Sequence, residues 1–331
     1  MTLPASKAGN GLRFWLRVTA LFGVLAALII IAGLLGPKQL STTHLLAVLA
    51  VQPLNLMALF FAGLRLTVLS GGAAPLWPAV KASSLSSTLL YVLPSRLSEL
   101  VKPIYLASQG HLSVLRGIAI IAVERFLDVA IVALLGLVGV LLLSHDGAAP
   151  AAGWWLALAA AGATGCLLLM WKPRIIRAVI DLLPFARLRA GLARLLDDLI
   201  ATMSPWRLLL GLLTGGCAWA CSFAMVYVLL RMGASVPFDV SAAFLVFLAG
   251  TVGIAVAVAP GGVGTFEAGM VLALHYHGIG TGEAITLALL SRLANLGFVP
   301  LIAAWAAVTD GIGVAKLVEA ARSLRLKQPG S

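Results

Sequence analysis

The chain has 331 residues, 61% of them hydrophobic and only 11% charged, with a net charge of +11 at pH 7 and a mean hydropathy of +1.06. A soluble domain of this length needs more polar surface, so the composition excludes one and points to an all-α polytopic membrane protein, a single integral membrane domain over 1–331. The basic excess lies in segments between apolar runs, as on cytoplasmic flanks beside anionic lipid, and no basic domain exists to carry nucleic acid.

Lys7, Arg13 and Arg17 precede the first apolar run, which resembles a signal anchor more than a cleaved signal peptide. Hydropathy predicts about six full transmembrane helices, over 14–35, 44–69, 117–143, 154–171, 208–230 and 283–309. Two further stretches, 79–110 and 242–278, are made of short apolar pieces broken near their middles by Pro or Gly. Many of these pieces fall short of the roughly 20 apolar residues a crossing needs, so they are read as re-entrant helical hairpins, one from each face. Two full crossings in each stretch are the alternative. The segment 172–207 is basic, with Lys172, Arg174, Arg177, Arg187, Arg189, Arg194 and Arg207, and its apolar residues recur at helical spacing. It is read as a cytoplasmic amphipathic segment, either lying on the membrane surface or forming a solvated loop helix.

The positive-inside rule puts both termini and 172–207 in the cytoplasm and the loops at 37–43, 144–153 and 231–239 outside. Arg65 and Arg116 favour the cytoplasmic side of the first hairpin. The order span, hairpin, span then occurs twice in opposite orientation, an inverted-repeat arrangement of interrupted helices that in transporters marks a binding site near the midplane.

Three groups of residues carry chemical potential. The first lies in Leu93–Gly110, which holds Pro94 and Pro103 together with Arg96, Glu99 and Lys102 at i, i+3, i+6. Arg96 and Lys102 suit a phosphate headgroup, the Arg through its two-donor fork, with Glu99 orienting Arg96 or relaying a proton. An Arg96–Glu99 pair that only fixes the hairpin, and a Lys102 that snorkels to the surface, are the structural alternatives. The second group is Glu124, Arg125 and Asp128. Glu124 and Asp128, at i and i+4, share a helix face, and two acids there predict pairing with basic groups of a neighbouring hairpin, as an ion-pair clamp or a proton relay. The third is Pro260-Gly261-Gly262-Val263-Gly264-Thr265-Phe266-Glu267. Gly261, Gly262 and Gly264 let a backbone approach a ligand closely, and a helix starting near Thr265 would turn free N–H groups toward an anion. Glu267 caps that first turn or binds a cation or proton. Arg292, hard to place against lipid, and Asn295 are candidates for the same cavity.

Other chemistries find little support. Cys166, Cys217 and Cys221 all lie in apolar segments and imply neither a disulfide framework nor a zinc site. His275 and His277 are two apart and point to different sides of a helix, so no metal is expected, and no cofactor is implied. No nucleophile–base pattern stands out, so the chain is not expected to be an enzyme.

Taken together, Leu93-Pro94-Ser95-Arg96-Leu97-Ser98-Glu99 with Lys102-Pro103, Glu124-Arg125 with Asp128, Pro260-Gly261-Gly262-Val263-Gly264 with Phe266-Glu267, and Arg292 span nearly the whole chain. In order and spacing they resemble the flippase-like family named for the transmembrane region of lysyl-phosphatidylglycerol synthase, whose best-known members are bacterial multiple-peptide-resistance factors. The resemblance implies a multi-pass protein of the bacterial inner membrane that moves or holds anionic lipid, with the charged and Gly-rich hairpins near the lipid path. The chain stops at Ser331, so the aminoacyl-transfer domain of the lysyl-transferring members is not expected. The standalone branch includes proteins associated with hopanoid, glycolipid and polyprenyl-linked sugar pathways.

The leading expectation is a translocase or lipid-handling transporter for an anionic or isoprenoid-type lipid. Arg96, Lys102, Arg292 and the three glycines would bind the headgroup, and Glu99, Glu124, Arg125, Asp128 and Glu267 would form ion pairs or a proton relay. The alternatives are a membrane-embedded transferase or accessory subunit acting on a polyprenyl-phosphate or glycolipid, and an ion-coupled solute carrier with Glu267 as its proton site. The expected partners are lipids with a phosphate or polar headgroup, with a second copy of the chain or a lipid-biosynthesis enzyme as the protein partners to test.

Overall fold

The structure, a computed structural model, describes residues 41–311 apart from 92, 94–96, 144–176, 179, 183–184 and 256–259. The expected spans 14–35 and 154–171, both termini and Arg96 lie outside the described residues.

Every regular element among the described residues is helical. In chain order they are α1 (Thr42–Ala50), α2 (Gln52–Leu69), α3 (Leu76–Leu89), α4 (Val101–Ser108), α5 (Val114–Leu143), α6 (Ala186–Thr202), α7 (Pro205–Gly233), α8 (Val240–Ala255), α9 (Thr265–Tyr276), α10 (Thr281–Leu296) and α11 (Val299–Thr309). Among the described residues three stretches are long and apolar enough to cross a membrane: Thr42–Leu69, Pro205–Gly233 and Thr281–Thr309. They coincide with the expected spans 44–69, 208–230 and 283–309. The 30 residues of α5 reach roughly 45 Å, also enough to cross a hydrocarbon core of about 30 Å.

The helix ends follow local chemistry. At the start of α1, Ser41 and His44 cap each other: the Ser41 N–H donates to His44 Nδ1 at 3.1 Å. That leaves the proton on Nε2, which reaches the Gly233 carbonyl at 3.0 Å and ties the start of α1 to the end of α7. The end of α2 closes with the Gly71 N–H on the Val68 carbonyl and the Gly72 N–H on the Thr67 carbonyl, with both glycines at positive φ.

The described residues form two compact units, and the chain passes from one to the other within α2, within α3, at the start of α4 and within α7. The first unit takes in α1, the start of α2, the end of α3 with the stretch to Val101, the end of α7, and α8–α11. Its centre is the pair α8 and α9. A Cβ on Gly253 would lie 2.3 Å from the Thr265 carbonyl oxygen, and one on Gly269 would lie 2.4 Å from that of Ala249. Backbones this close need small residues, and the pairing of 253 with 265 and 249 with 269 makes α8 and α9 an antiparallel hairpin. Phe223 of α7 packs edge-on against Phe244 and Phe247 of α8, with ring centroids 5.4 and 5.7 Å apart.

The same unit holds a second break, between α10 and α11, where Gly297 has φ 36°. Two amide side chains of α2 replace the interrupted helical hydrogen bonds. Asn55 Nδ2 donates to the carbonyls of Ala294 (2.9 Å) and Asn295 (3.1 Å). Gln52 Nε2 donates to Ala294 O at 3.3 Å, and Gln52 Oε1 accepts from the Phe298 N–H at 3.3 Å. Broken backbone in lipid requires such internal partners.

The second unit comprises the rest of α2 and α3, then α4, α5, α6 and the first part of α7. Gly63 of α2 lies against Val80 of α3, and Gly117 of α5 against Pro103 of α4, each leaving no room for a Cβ. Helix α6 packs on α5. It buries Leu196 and exposes Arg189, Arg194 and Asp197, as the amphipathic spacing predicts.

Candidate functional site

Among the described residues two clusters of charge sit at buried positions, one in each unit. In the first unit the cluster is built on the break between α8 and α9. Gly261 and Gly262 both have φ 64° and Gly264 has φ 88°, conformations that a side chain disfavours. The resulting turn presents the carbonyls of Gly261 and Gly262 to Arg292 of α10. Arg292 Nη1 donates to Gly261 O at 2.7 Å, and Nη2 donates to Gly262 O at 3.1 Å. The other edge of the guanidinium meets Glu267, with Nε on Oε1 and Nη2 on Oε2, the latter at 3.0 Å. Glu267 Oε2 also accepts the Gly264 N–H at 2.8 Å, capping the first turn of α9. The guanidinium carbon lies 4.9 Å from the Phe266 ring centroid and 5.7 Å from that of Tyr91. Tyr91 belongs to the break that follows α3, and its ring abuts Gly261. The breaks of both predicted hairpins therefore meet around one arginine.

In the second unit the cluster crosses four helices. Glu124 Oε1 takes Arg65 Nε at 3.4 Å and Glu124 Oε2 takes Lys102 Nζ at 2.9 Å. Asp128 Oδ1 takes Arg65 Nη1 at 2.6 Å and Trp219 Nε1 at 3.2 Å, and Asp128 Oδ2 takes Arg125 Nη2 at 2.9 Å. Arg65, Lys102, Glu124 and Asp128 are all buried, two cations against two anions, while Arg125 stands at the rim with its side chain 44% exposed. Gly215 of α7 makes room for the arginine, since a Cβ there would lie 2.9 Å from Arg65 Nη1. An unbalanced charge at this depth would be costly, and the observed pairing leaves none among the four buried groups.

The expectations from sequence divide accordingly. Glu124, Arg125 and Asp128 come together, with Lys102 of the first hairpin as one predicted basic partner. Lys102 therefore stands in the ion-pair group rather than with Arg292. Glu267, Arg292 and the three glycines come together at the α8–α9 turn, with Glu267 capping α9. Glu99 is partly exposed. Asn295 does not join Arg292: its side chain is exposed and turns back to the Ser291 carbonyl at 2.9 Å. His275 is exposed, whereas the His277 ring packs edge-on against Phe238, in keeping with their two-residue spacing. Sequence reasoning used Arg65 only for topology, although a lone arginine within an apolar span was itself a signal. Tyr91, Trp219, Gln52 and Asn55 gave no comparable signal. Among the described residues no group of His, Cys, Asp and Glu is arranged to hold a metal ion.

The glycine turn between α8 and α9, with Glu267 and Arg292 paired beside it, carries residues on which the resemblance rests. A family model described as the lysylphosphatidylglycerol synthase TM region matches residues 18–304. The chain belongs to that family. No curated protein and no solved structure matches it. Membership of the lysylphosphatidylglycerol synthase TM region family, together with the long apolar helices, makes this a membrane protein related to lipid.

Proposed function

We propose that the chain is a lipid translocase of the bacterial inner membrane, acting on a lipid with a phosphate-bearing headgroup. The observation that carries this reading is the meeting of Tyr91, from one helix break, with Gly261 and Arg292 at the other. Interrupted helices that converge on a charged residue at membrane depth are the architecture of transporter sites. Helices α8 and α9, of 16 and 12 residues, would reach only roughly 24 and 18 Å. Each falls short of a core of about 30 Å, which supports a re-entrant hairpin over 242–278 rather than two extra crossings there. The six spans, the inverted repeat and the cytoplasmic termini belong to the same proposal.

In this mechanism the headgroup enters at the glycine turn, where Arg292 lies behind the backbone; Arg96, outside the described residues, is the second cation that the proposal calls on. The acyl chains stay in the bilayer. The balanced cluster of Arg65, Lys102, Glu124 and Asp128 clamps its helices and leaves the headgroup to the first unit.

The test is a leaflet-accessibility assay on purified protein in liposomes, with labelled anionic and zwitterionic lipids. Wild type is expected to carry an anionic lipid across and Arg96→Ala to do so more slowly. Failure of folded wild type to move any lipid in a panel that includes isoprenoid phosphates would overturn the translocase.

A further inference from the structure

The guanidinium of Arg292 has two unlike sets of partners. One set is backbone: the carbonyls of Gly261 and Gly262 are held by a turn whose positive-φ glycines restrict it. The other is a single carboxylate, Glu267, bound by two roughly parallel N–H donors, Nε and Nη2. A third donor, the Gly264 N–H, converges on the same carboxylate. This is the arrangement by which arginine takes a phosphate, and here a side chain fills it.

The positions of the two charges matter. The Arg292 side chain is 4% exposed and that of Glu267 is 17% exposed. Val263 and Gly264 beside it are exposed as well. The anion therefore occupies the accessible side of the site and the cation the sealed side. A carboxylate carries one negative charge, as does the phosphodiester of an anionic phospholipid, so exchanging one for the other keeps the buried arginine neutralised.

Resting on the translocase reading, we infer that Glu267 is a displaceable internal anion: the singly charged phosphodiester of a lipid headgroup takes the Nε/Nη2 edge of Arg292 and the Gly264 N–H, and the Glu267 carboxylate swings outward. Glu267 then holds the turn closed in the absence of lipid and weakens lipid binding by competing for the same donors. No bond is made or broken; one hydrogen-bonded ion pair replaces another.

The test measures binding of labelled phosphatidylglycerol to the full chain in phosphatidylcholine nanodiscs, with a parallel titration by inorganic phosphate. Glu267→Gln keeps the shape of the side chain and removes its charge. It is expected to tighten phosphatidylglycerol binding about tenfold, because the competent form no longer has to displace an anion. Equal or weaker binding by a Glu267→Gln protein with the wild-type melting temperature overturns the exchange. Should that variant fail to fold, Arg292→Lys decides: it keeps a cation but lacks the two-donor edge and is expected to weaken binding about fivefold or more. Undiminished binding by Arg292→Lys overturns the exchange as well. Inorganic phosphate that binds at the site with the same gain in Glu267→Gln makes free phosphate the occupant and overturns the lipid assignment. The two proposals fail separately. A wild type that shows the exchange but moves no lipid removes the translocase alone. A wild type that moves lipid while Glu267→Gln binds no more tightly removes the exchange alone.

Discussion

The two buried charge clusters use the same residue types for different ends. In the second unit every buried charge faces another side chain, and two cations balance two anions across α2, α4 and α5. In the first unit Arg292 divides itself between backbone carbonyls and one partly exposed carboxylate. A closed, balanced cluster already pairs each buried cation with an anion, and any member removed strands its partners. A cluster with one partner at its accessible edge can exchange that partner without exposing its cation. Burial and pairing alone do not separate a clamp from a binding site; the accessibility of the counter-ion does.

The sharpest way to break this comparison is Glu124→Ala. It strands Lys102 and half of Arg65, and the expected loss is about 3–5 kcal/mol, read as a large fall in melting temperature or in folded yield in detergent. Combining it with Lys102→Met leaves Arg65 with Asp128 and is expected to recover part of that loss. A double variant no more stable than the single one would show that charge balance is not what the cluster provides.

Arg292→Lys comes next. It gives up the fork on Glu267 and the carbonyl bonds of the turn, and hydrogen bonds to charged groups contribute about 1.5–3 kcal/mol. Its loss of lipid crossing is expected to exceed that of Glu124→Ala at matched folded protein. The reverse order would exchange the roles of the clusters.

Gly253→Ala tests the hairpin beneath Arg292. Its Cβ would meet the Thr265 carbonyl, which belongs to backbone and cannot step aside. The expected cost is about 1–3 kcal/mol, measurable in the same melts. A neutral result would show that α8 and α9 can separate slightly without harm.

The smallest effect belongs to a surface carboxylate, which calibrates the other two environments. Asp239 Oδ1 accepts the Ala242 N–H at 2.7 Å and the Ser241 hydroxyl at 2.9 Å at the start of α8. These hydrogen bonds hold its pKa below the usual aspartate value. The folded pKa is depressed, so the contribution is complete well above the unfolded value of about 3.9 and fades as pH falls through the folded value. Asp239→Ala is expected to cost about 0.5–2 kcal/mol at neutral pH. The stability gap between wild type and this variant should narrow below about pH 4; a gap constant down to pH 2 would remove the charge from the cap.

The spans legible in the sequence were those whose apolar length alone sets them, and Thr42–Leu69, Pro205–Gly233 and Thr281–Thr309 follow it. The amphipathic stretch and the break at Pro260–Gly262 were legible for the same reason, since periodicity and glycine act locally. The break at Gly297 was not, because its hydrogen bonds are completed by Gln52 and Asn55, more than two hundred residues earlier. Glu124 and Asp128 announced a pair through their i, i+4 spacing, but Arg65 and Trp219 could not be matched to them from spacing.

By itself, then, the sequence determined that this protein lives in a membrane, where its long apolar stretches lie and where the glycine turn at 260–264 interrupts one of them, and which few charges lie within those stretches. Those properties depend on transfer from water and on neighbouring residues. Only the tertiary structure decided which charge answers which: Lys102 to Glu124, Arg65 to both acids, Arg292 to Glu267 and two carbonyls. A buried charge takes whatever counter-charge the fold brings within about 3 Å, and in a low-dielectric interior that proximity outweighs any preference written along the chain.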